Sequence, residues 1–223
     1  MFRPHERSGL GNLLIWLSQL DNTTPVSDEI YSGMRSKYLN FKNLNVIRTI
    51  CPPIYINSHT YEKVHPLCRD KVEPSPYLQE LLEKNKHLID GVVLAVAIRF
   101  SRIKHSDGLV EPNQHVDEHA LKEFNDLIER TDGRVFVACD ILDYKHTLRD
   151  KFGSKISFVD DVTVISCTTN SIDAPTPYLE FFLLSMCPHL VLTGGPRDMS
   201  NFSTFGYMAA VYGGKPFNVI WNA

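Results

Sequence analysis

Ser203, Thr204 and Phe205 stand just ahead of an apolar run that reads as a helix. Hydroxyls and backbone N–H groups at a helix N-terminus bind phosphate, with a dipole contribution of about 0.3–1 kcal/mol at exposed sites. On local sequence alone Ser203 reads more readily as a plain N-cap. Upstream, Gly194-Gly195-Pro196-Arg197 supplies a loop whose cation can close on an anion. Arg99 ends an apolar run, where its planar guanidinium suits either phosphate oxygens or a neighbouring carboxylate. Asp140 ends the next such run and suits either a base or ribose, or the cap of the following helix. Gly9-Leu10-Gly11-Asn12 has the look of a glycine-rich phosphate loop, or of a tight turn alone.

A different chemistry is offered by His115-Val116-Asp117-Glu118-His119. It matches the HxxEH pattern of inverted zinc metallopeptidases, in which two histidines bind zinc and the glutamate acts as base. The segment falls at the start of a helix beside Pro112 and Asn113, where Asp117 reads as a cap. The helix then runs on amphipathically, as a crossover helix does.

These residues have to be positioned by the elements around them. Residues 92–100 form an almost unbroken apolar run, expected of a strand covered on both faces. Residues 116–130 carry a helical stripe of Val116, Ala120, Leu121, Phe124, Leu127 and Ile128. Strands follow at 135–139, 156–159, 190–193 and 217–220, separated by helices at 143–152, 178–186 and 205–212. That alternation means βαβ units and a parallel sheet. The first part reads as a helix over 9–20, a strand over 43–50, and a proline-punctuated loop over 51–76 with a short strand at 54–56. Ser75-Pro76 then opens a helix through Leu78, Leu81 and Leu82. The boundary between halves is placed near Asp90. In open parallel sheets ligands bind beyond the carboxyl ends of strands, which selects residues 99–102, Asp140 and 193–205 as one edge.

The whole chain has 223 residues, 43% hydrophobic and 22% charged, with a formal net charge of -3. This is the composition of a globular protein. No basic run covers a face, so nucleic acid is not an expected partner, although Arg99, Arg102 and Lys104 remain a local basic cluster and a candidate anion site. Cys51, Cys68, Cys139, Cys167 and Cys187 are odd in number and form no CxxC pair. They read as reduced thiols of a reducing compartment. No stretch approaches the roughly 20 apolar residues of a membrane span, and residues 1–9 lack a signal-peptide core, so a cytoplasmic location is expected.

Taken in order, these segments resemble the fucosyltransferase-like glycosyltransferases, the α-1,2-, α-1,6- and protein-O-fucosyltransferase group. Ser8-Gly9-Leu10-Gly11-Asn12-Leu13-Leu14 is similar to the group's GGxGNxL start. The run from Gly91 to Arg99 is similar to the strand ending in HxRRxD, and RVFVACD, ending at Asp140, to IFVxSDD. YLEFFLLSMCPHLVLTGG and then NFSTFGYMAAVYGGKP, within 178–216, are similar to DLxLLSxCDxIIGxxSTFSxWAAxYGxKP. The pattern's histidine is Ala97 here, its second arginine Phe100, its aspartate Arg102, and the helix aspartate Glu180.

The resemblance implies an α/β fold of two Rossmann-like halves (GT-B-type) with parallel sheets flanked by helices. An N-terminal acceptor-side half over 1–90 is reduced, and a nucleotide-sugar-binding half covers 91–223. It implies an inverting, metal-independent transfer of a sugar, fucose from GDP-fucose being favoured, to a glycan hydroxyl. By resemblance Arg99 stabilises the departing phosphate, Ser203, Thr204 and Phe205 hold the diphosphate, and Asp140 reads the base. Gly11 and Asn12 face donor and acceptor. The partners are the nucleotide-sugar donor and a glycan acceptor, with no cofactor or metal. No general base is identified beyond Glu6, the carboxylate near the glycine turn. A catalytically silent nucleotide- or glycan-binding protein of the same fold, and the zinc hydrolase, are the alternatives.

Overall fold

The computed structural model describes residues 39–41, 72–100, 116–160, 175–196 and 203–223. The first-half expectations over 9–20, 43–50 and 54–56 lie outside these residues. Two short strands, β1 (Leu39–Phe41) and β2 (Val72–Pro74), pair antiparallel. The sequence reading had left 72–74 in a loop, because three residues ending in proline carry no alternating pattern to detect. Ser75 then caps helix α1 (Pro76–Asn85), accepting the Leu78 N–H at 3.2 Å, with proline in the first turn as expected.

The remaining elements run β3 (Val92–Ile98), α2 (Glu118–Arg130), β4 (Arg134–Cys139), α3 (Leu142–Phe152), β5 (Ile156–Ser157), α4 (Thr176–Met186), β6 (Leu190–Pro196), α5 (Thr204–Gly213) and β7 (Phe217–Asn222). The five strands β3 to β7 form one sheet in the order β5-β4-β3-β6-β7. Every pairing in it is parallel. The chain moves outward from β3 through β4 to β5, returns to the other side of β3 as β6, and ends at β7. Right-handed crossovers place helices made before and after such a reversal on opposite faces.

The core divides accordingly. Leu94, Val96 and Ile98 of β3 pack with Ala120, Phe124 and Ile128 of α2. Ala95 and Ala97, pointing the other way, pack with α4 and α5. Helix α4 is apolar around its circumference and is buried from Tyr178 to Ser185, lying between the sheet, α5 and α1. Helix α1 contributes Leu78 and Leu82 to that same core. Two helices come close enough to need a missing side chain. A Cβ on Gly213 of α5 would stand 2.0 Å from the Ser185 carbonyl oxygen of α4.

Strand β3 stops two residues short of the expected end, for a reason that bears on the site. The β3–β6 ladder ends at Ala97 and Leu192, and the β3–β4 ladder at Ile98 and Cys139. Beyond these points the backbone donors of residues 99 and 100 are taken by side chains.

Candidate functional site

The strand order reverses between β3 and β6, and in doubly wound sheets ligands bind in the crevice beyond the carboxyl ends of such a pair. Arg99 leaves β3 at this crevice. Its backbone N–H donates to Thr193 Oγ1 on β6 at 3.2 Å, and the next N–H, of Phe100, donates to Asp140 Oδ1 at 2.8 Å. Asp140 follows β4, so side chains from the two neighbouring strands hold the exit of β3 from both sides. Asp140 Oδ2 also lies 3.4 Å from Arg99 Nε. The Asp140 side chain is 5% exposed and that of Arg99 34%, so a buried carboxylate holds a guanidinium that reaches the surface.

The N-terminus of α5 is fastened to the same crevice. Ser203 donates its N–H to the Thr193 carbonyl at 2.9 Å, and its Oγ accepts the Gly206 N–H at 3.5 Å as a cap. One turn in, Gly206 sits on the sheet: a Cβ there would meet Leu192 Cδ2 at 2.6 Å and Ala97 Cβ at 2.8 Å. Only a residue without a side chain lets the helix start so close to β3 and β6. The positive end of the α5 dipole therefore stands over the strand ends that carry Arg99 and Thr193.

Beside the crevice, Phe100 meets Tyr144 of α3 edge-on, with ring centroids 4.9 Å apart. Lys145 on α3 is fully buried and donates both to Glu180 of α4 and, at 3.3 Å, to the Val159 carbonyl. Burial pushes the Cys139 thiol at the end of β4 up to about 12. That cysteine is inert as a nucleophile near neutral pH.

No family model matches the sequence, and no curated protein matches it. Among solved structures the chain is similar to NodZ α-1,6-fucosyltransferase soaked with GDP-fucose, at 15% identity and a TM-score of 0.45, covering 68% of this chain and 47% of that one. It is similar to a mutant of Arabidopsis thaliana FUT1 in complex with GDP, at 16% identity and a TM-score of 0.46, covering 74% and 40%. With POFUT1 in complex with GDP-fucose the identity is 11% and the TM-score 0.42, covering 80% and 54%. The chain thus spans about half the length of these structures.

Of the residues singled out from sequence, Arg99, Asp140 and Ser203 come together at one edge. Thr204 begins α5 beside them. Phe205 turns toward the core, its ring 6.0 Å from that of Phe181. Gly11 and Asn12, like Arg102, Lys104 and Arg197, lie outside the described residues. Asp140 does not cap α3, whose N-cap is Ile141 with no side-chain bond. In the HxxEH segment Asp117 is the N-cap of α2, accepting the Ala120 N–H at 2.8 Å, and His119 Nε2 lies 3.0 Å from Glu123. His115 is outside the described residues, among which no cluster of metal-binding side chains occurs. Among the described residues no helix is long and apolar enough to cross a membrane.

Sequence reasoning took Thr193 only as the first residue of the 193–205 edge, with no role of its own, and passed over Lys145. Thr193 is the single polar residue closing the run Leu190-Val191-Leu192, a signal available in retrospect. Lys145 stands three residues from both Leu142 and Leu148, on the apolar stripe of its helix, and Glu180 lies inside a helix whose other residues carry no charge. Two opposite charges at core positions announce a buried pair. Two open depressions on the described surface lie elsewhere: one near Gly91, Arg134 and Lys155, the other between α2 and β6–β7.

Proposed function

We propose that the protein is an inverting glycosyltransferase that binds a nucleoside diphosphate sugar at the β3–β6 crevice and passes the sugar to a glycan hydroxyl. The observation that carries this reading is the convergence there of Arg99, Ser203 and the N-terminus of α5. Attack by the acceptor oxygen on the anomeric carbon breaks its bond to the β-phosphate oxygen, which departs with the electron pair. The hydroxyl proton leaves for a base or solvent. A fixed cation and backbone donors aimed at the growing phosphate charge lower the barrier without reorganising during the step. Arg99 is assigned to that charge, and Ser203 with the first turn of α5 to the diphosphate. No metal is required, since the cation and the N–H donors neutralise the leaving group. The resemblance carried by residues 178–216 favours GDP-fucose as donor.

Asp140 acts through Arg99. Both its oxygens are engaged, by the Phe100 N–H and by Arg99 Nε, in a carboxylate that hardly reaches solvent.

A second reading, a binding protein of the same fold without turnover, is favoured by one observation. Where the resembling pattern has a histidine, Ala97 is buried against Gly206, and where it has a second arginine, Phe100 packs on Tyr144. Thermal unfolding against GDP, UDP, ADP, CDP and their sugar conjugates tests both. A ligand at 100 times its dissociation constant stabilises the folded state by about 2.7 kcal/mol. A shift with GDP or GDP-fucose that weakens in Arg99→Ala is expected. If no nucleotide shifts the transition, the transferase reading falls. Release of the nucleoside diphosphate from the sugar donor separates turnover from silent binding, and Arg99→Ala should lower that rate by about 10²–10³.

A further inference from the structure

We propose that Thr193 is a positioning residue that sets Arg99 and the start of α5 in register with each other. The proposal rests on reading Arg99 and the α5 N-terminus as the donor's phosphate site. Strands β3 and β6 are the two between which the chain reverses, and their main-chain ladder ends at Ala97 and Leu192. From there the backbones part, since β3 ends at Ile98 while β6 runs on beside β7 to Pro196. A buried N–H left without a partner is costly. Thr193 supplies the acceptor that the ladder no longer does: its hydroxyl oxygen takes the Arg99 N–H at 3.2 Å. Its main-chain oxygen takes the Ser203 N–H at 2.9 Å. One residue, 2% exposed, thereby joins the backbone of the proposed phosphate-stabilising cation to the first residue of the proposed phosphate-binding helix.

The side-chain bond is the replaceable part. Valine at 193 has nearly the shape of threonine but offers no acceptor, so the Arg99 N–H loses its hold on β6. Serine keeps the hydroxyl. The consequence is specific: losing the hydroxyl should harm donor binding only while Arg99 is present to be misplaced.

The test is a double-mutant cycle on GDP affinity, measured for the wild type, Thr193→Val, Arg99→Ala and the combination, with Thr193→Ser as rescue. Thr193→Val should weaken GDP by about tenfold in the wild type and by less than about twofold in Arg99→Ala. Thr193→Ser should stay within about twofold of wild type. Equal losses in both backgrounds, or no loss in either, would overturn the proposal, because a merely structural threonine gives independent effects. Absence of nucleotide binding by the wild type would instead remove the transferase reading. The positioning is then read without ligand from the Arg99 Nε–H resonance. Faster exchange of that proton in Thr193→Val, restored in Thr193→Ser, supports it, and an unchanged resonance in Thr193→Val refutes it.

Discussion

At the scale of single residues, the two readings open for Arg99 from sequence turn out to be compatible. A salt bridge to Asp140 and a phosphate-facing role need not compete when the carboxylate is buried and the guanidinium reaches the surface. Asp140→Ala removes the acceptor of the Phe100 N–H as well as the charge, and should cost about 1–3 kcal/mol in urea denaturation. Asp140→Asn keeps an acceptor oxygen, so it should lose less stability while still weakening GDP binding. Asp117 gives a pH-dependent counterpart. Burial acts to raise its pKa but is outweighed by N–H donors from Ala120 and Ala223 and by nearby His119, so the carboxyl is held below its ordinary value. A carboxyl depressed by folding contributes stability above its unfolded pKa of about 3.9, and that contribution is lost as pH falls through the folded value. Asp117→Asn should cap α2 about as well at neutral pH and flatten the decline in melting temperature below about pH 4. The thiols of Cys139 and Cys187, both raised to about 12 chiefly by burial, should resist a thiol reagent at pH 8 until the protein is unfolded. Rapid modification of either in the native state would contradict the packing described.

At the scale of elements, the helices α1 to α5 were readable because their caps and stripes are local. Ser75-Pro76, Asp117 and Gly153 mark boundaries wherever they occur. Strand ends were less readable, since a ladder stops where its neighbour diverges and not where the apolar run stops. Residues 99 and 100 look like strand and are not. β5 is shorter than expected for the same reason: Phe158 and Val159 are buried but outside its pairing with β4. Helix-to-helix approach was not readable at all. Gly213→Ala would set a methyl carbon against the Ser185 carbonyl, and backbone cannot step aside as a side chain tip can. Overpacking of this kind costs typically about 1–3 kcal/mol. Gly206→Ala should cost a similar amount and also tilt α5 off the strand ends. Its GDP affinity should therefore fall, whereas that of Gly213→Ala should change little at temperatures where it is folded. Denaturation curves paired with binding titrations check both.

At the scale of the whole molecule, the two helix layers are joined across the sheet. Lys145 belongs to α3, which packs with the Leu94–Val96 face, and Glu180 to α4, which packs on the opposite face. Removing one member strands a charge in the interior, so Lys145→Met or Glu180→Leu should each destabilise by about 3–5 kcal/mol. The double substitution should recover most of that loss, since apolar replacement of a whole buried pair is often neutral or better. Failure to recover would mean that Lys145 serves Val159 more than Glu180. The sequence alone was enough to establish the α/β class, the strand and helix order from residue 92 onward, and which of residues 99, 140 and 203 share the carboxyl edge of the sheet. Hydrophobic periodicity, caps and glycine stops are properties of a few neighbouring residues and survive without a fold. Which residues touch was decided only in three dimensions. Residues 99, 140 and 193 are far apart in the chain and meet because β3 lies between β4 and β6 in the sheet, and Ser203 is tied back to Thr193. A threonine hydroxyl acquires a role only where two backbones part and leave an N–H to be satisfied.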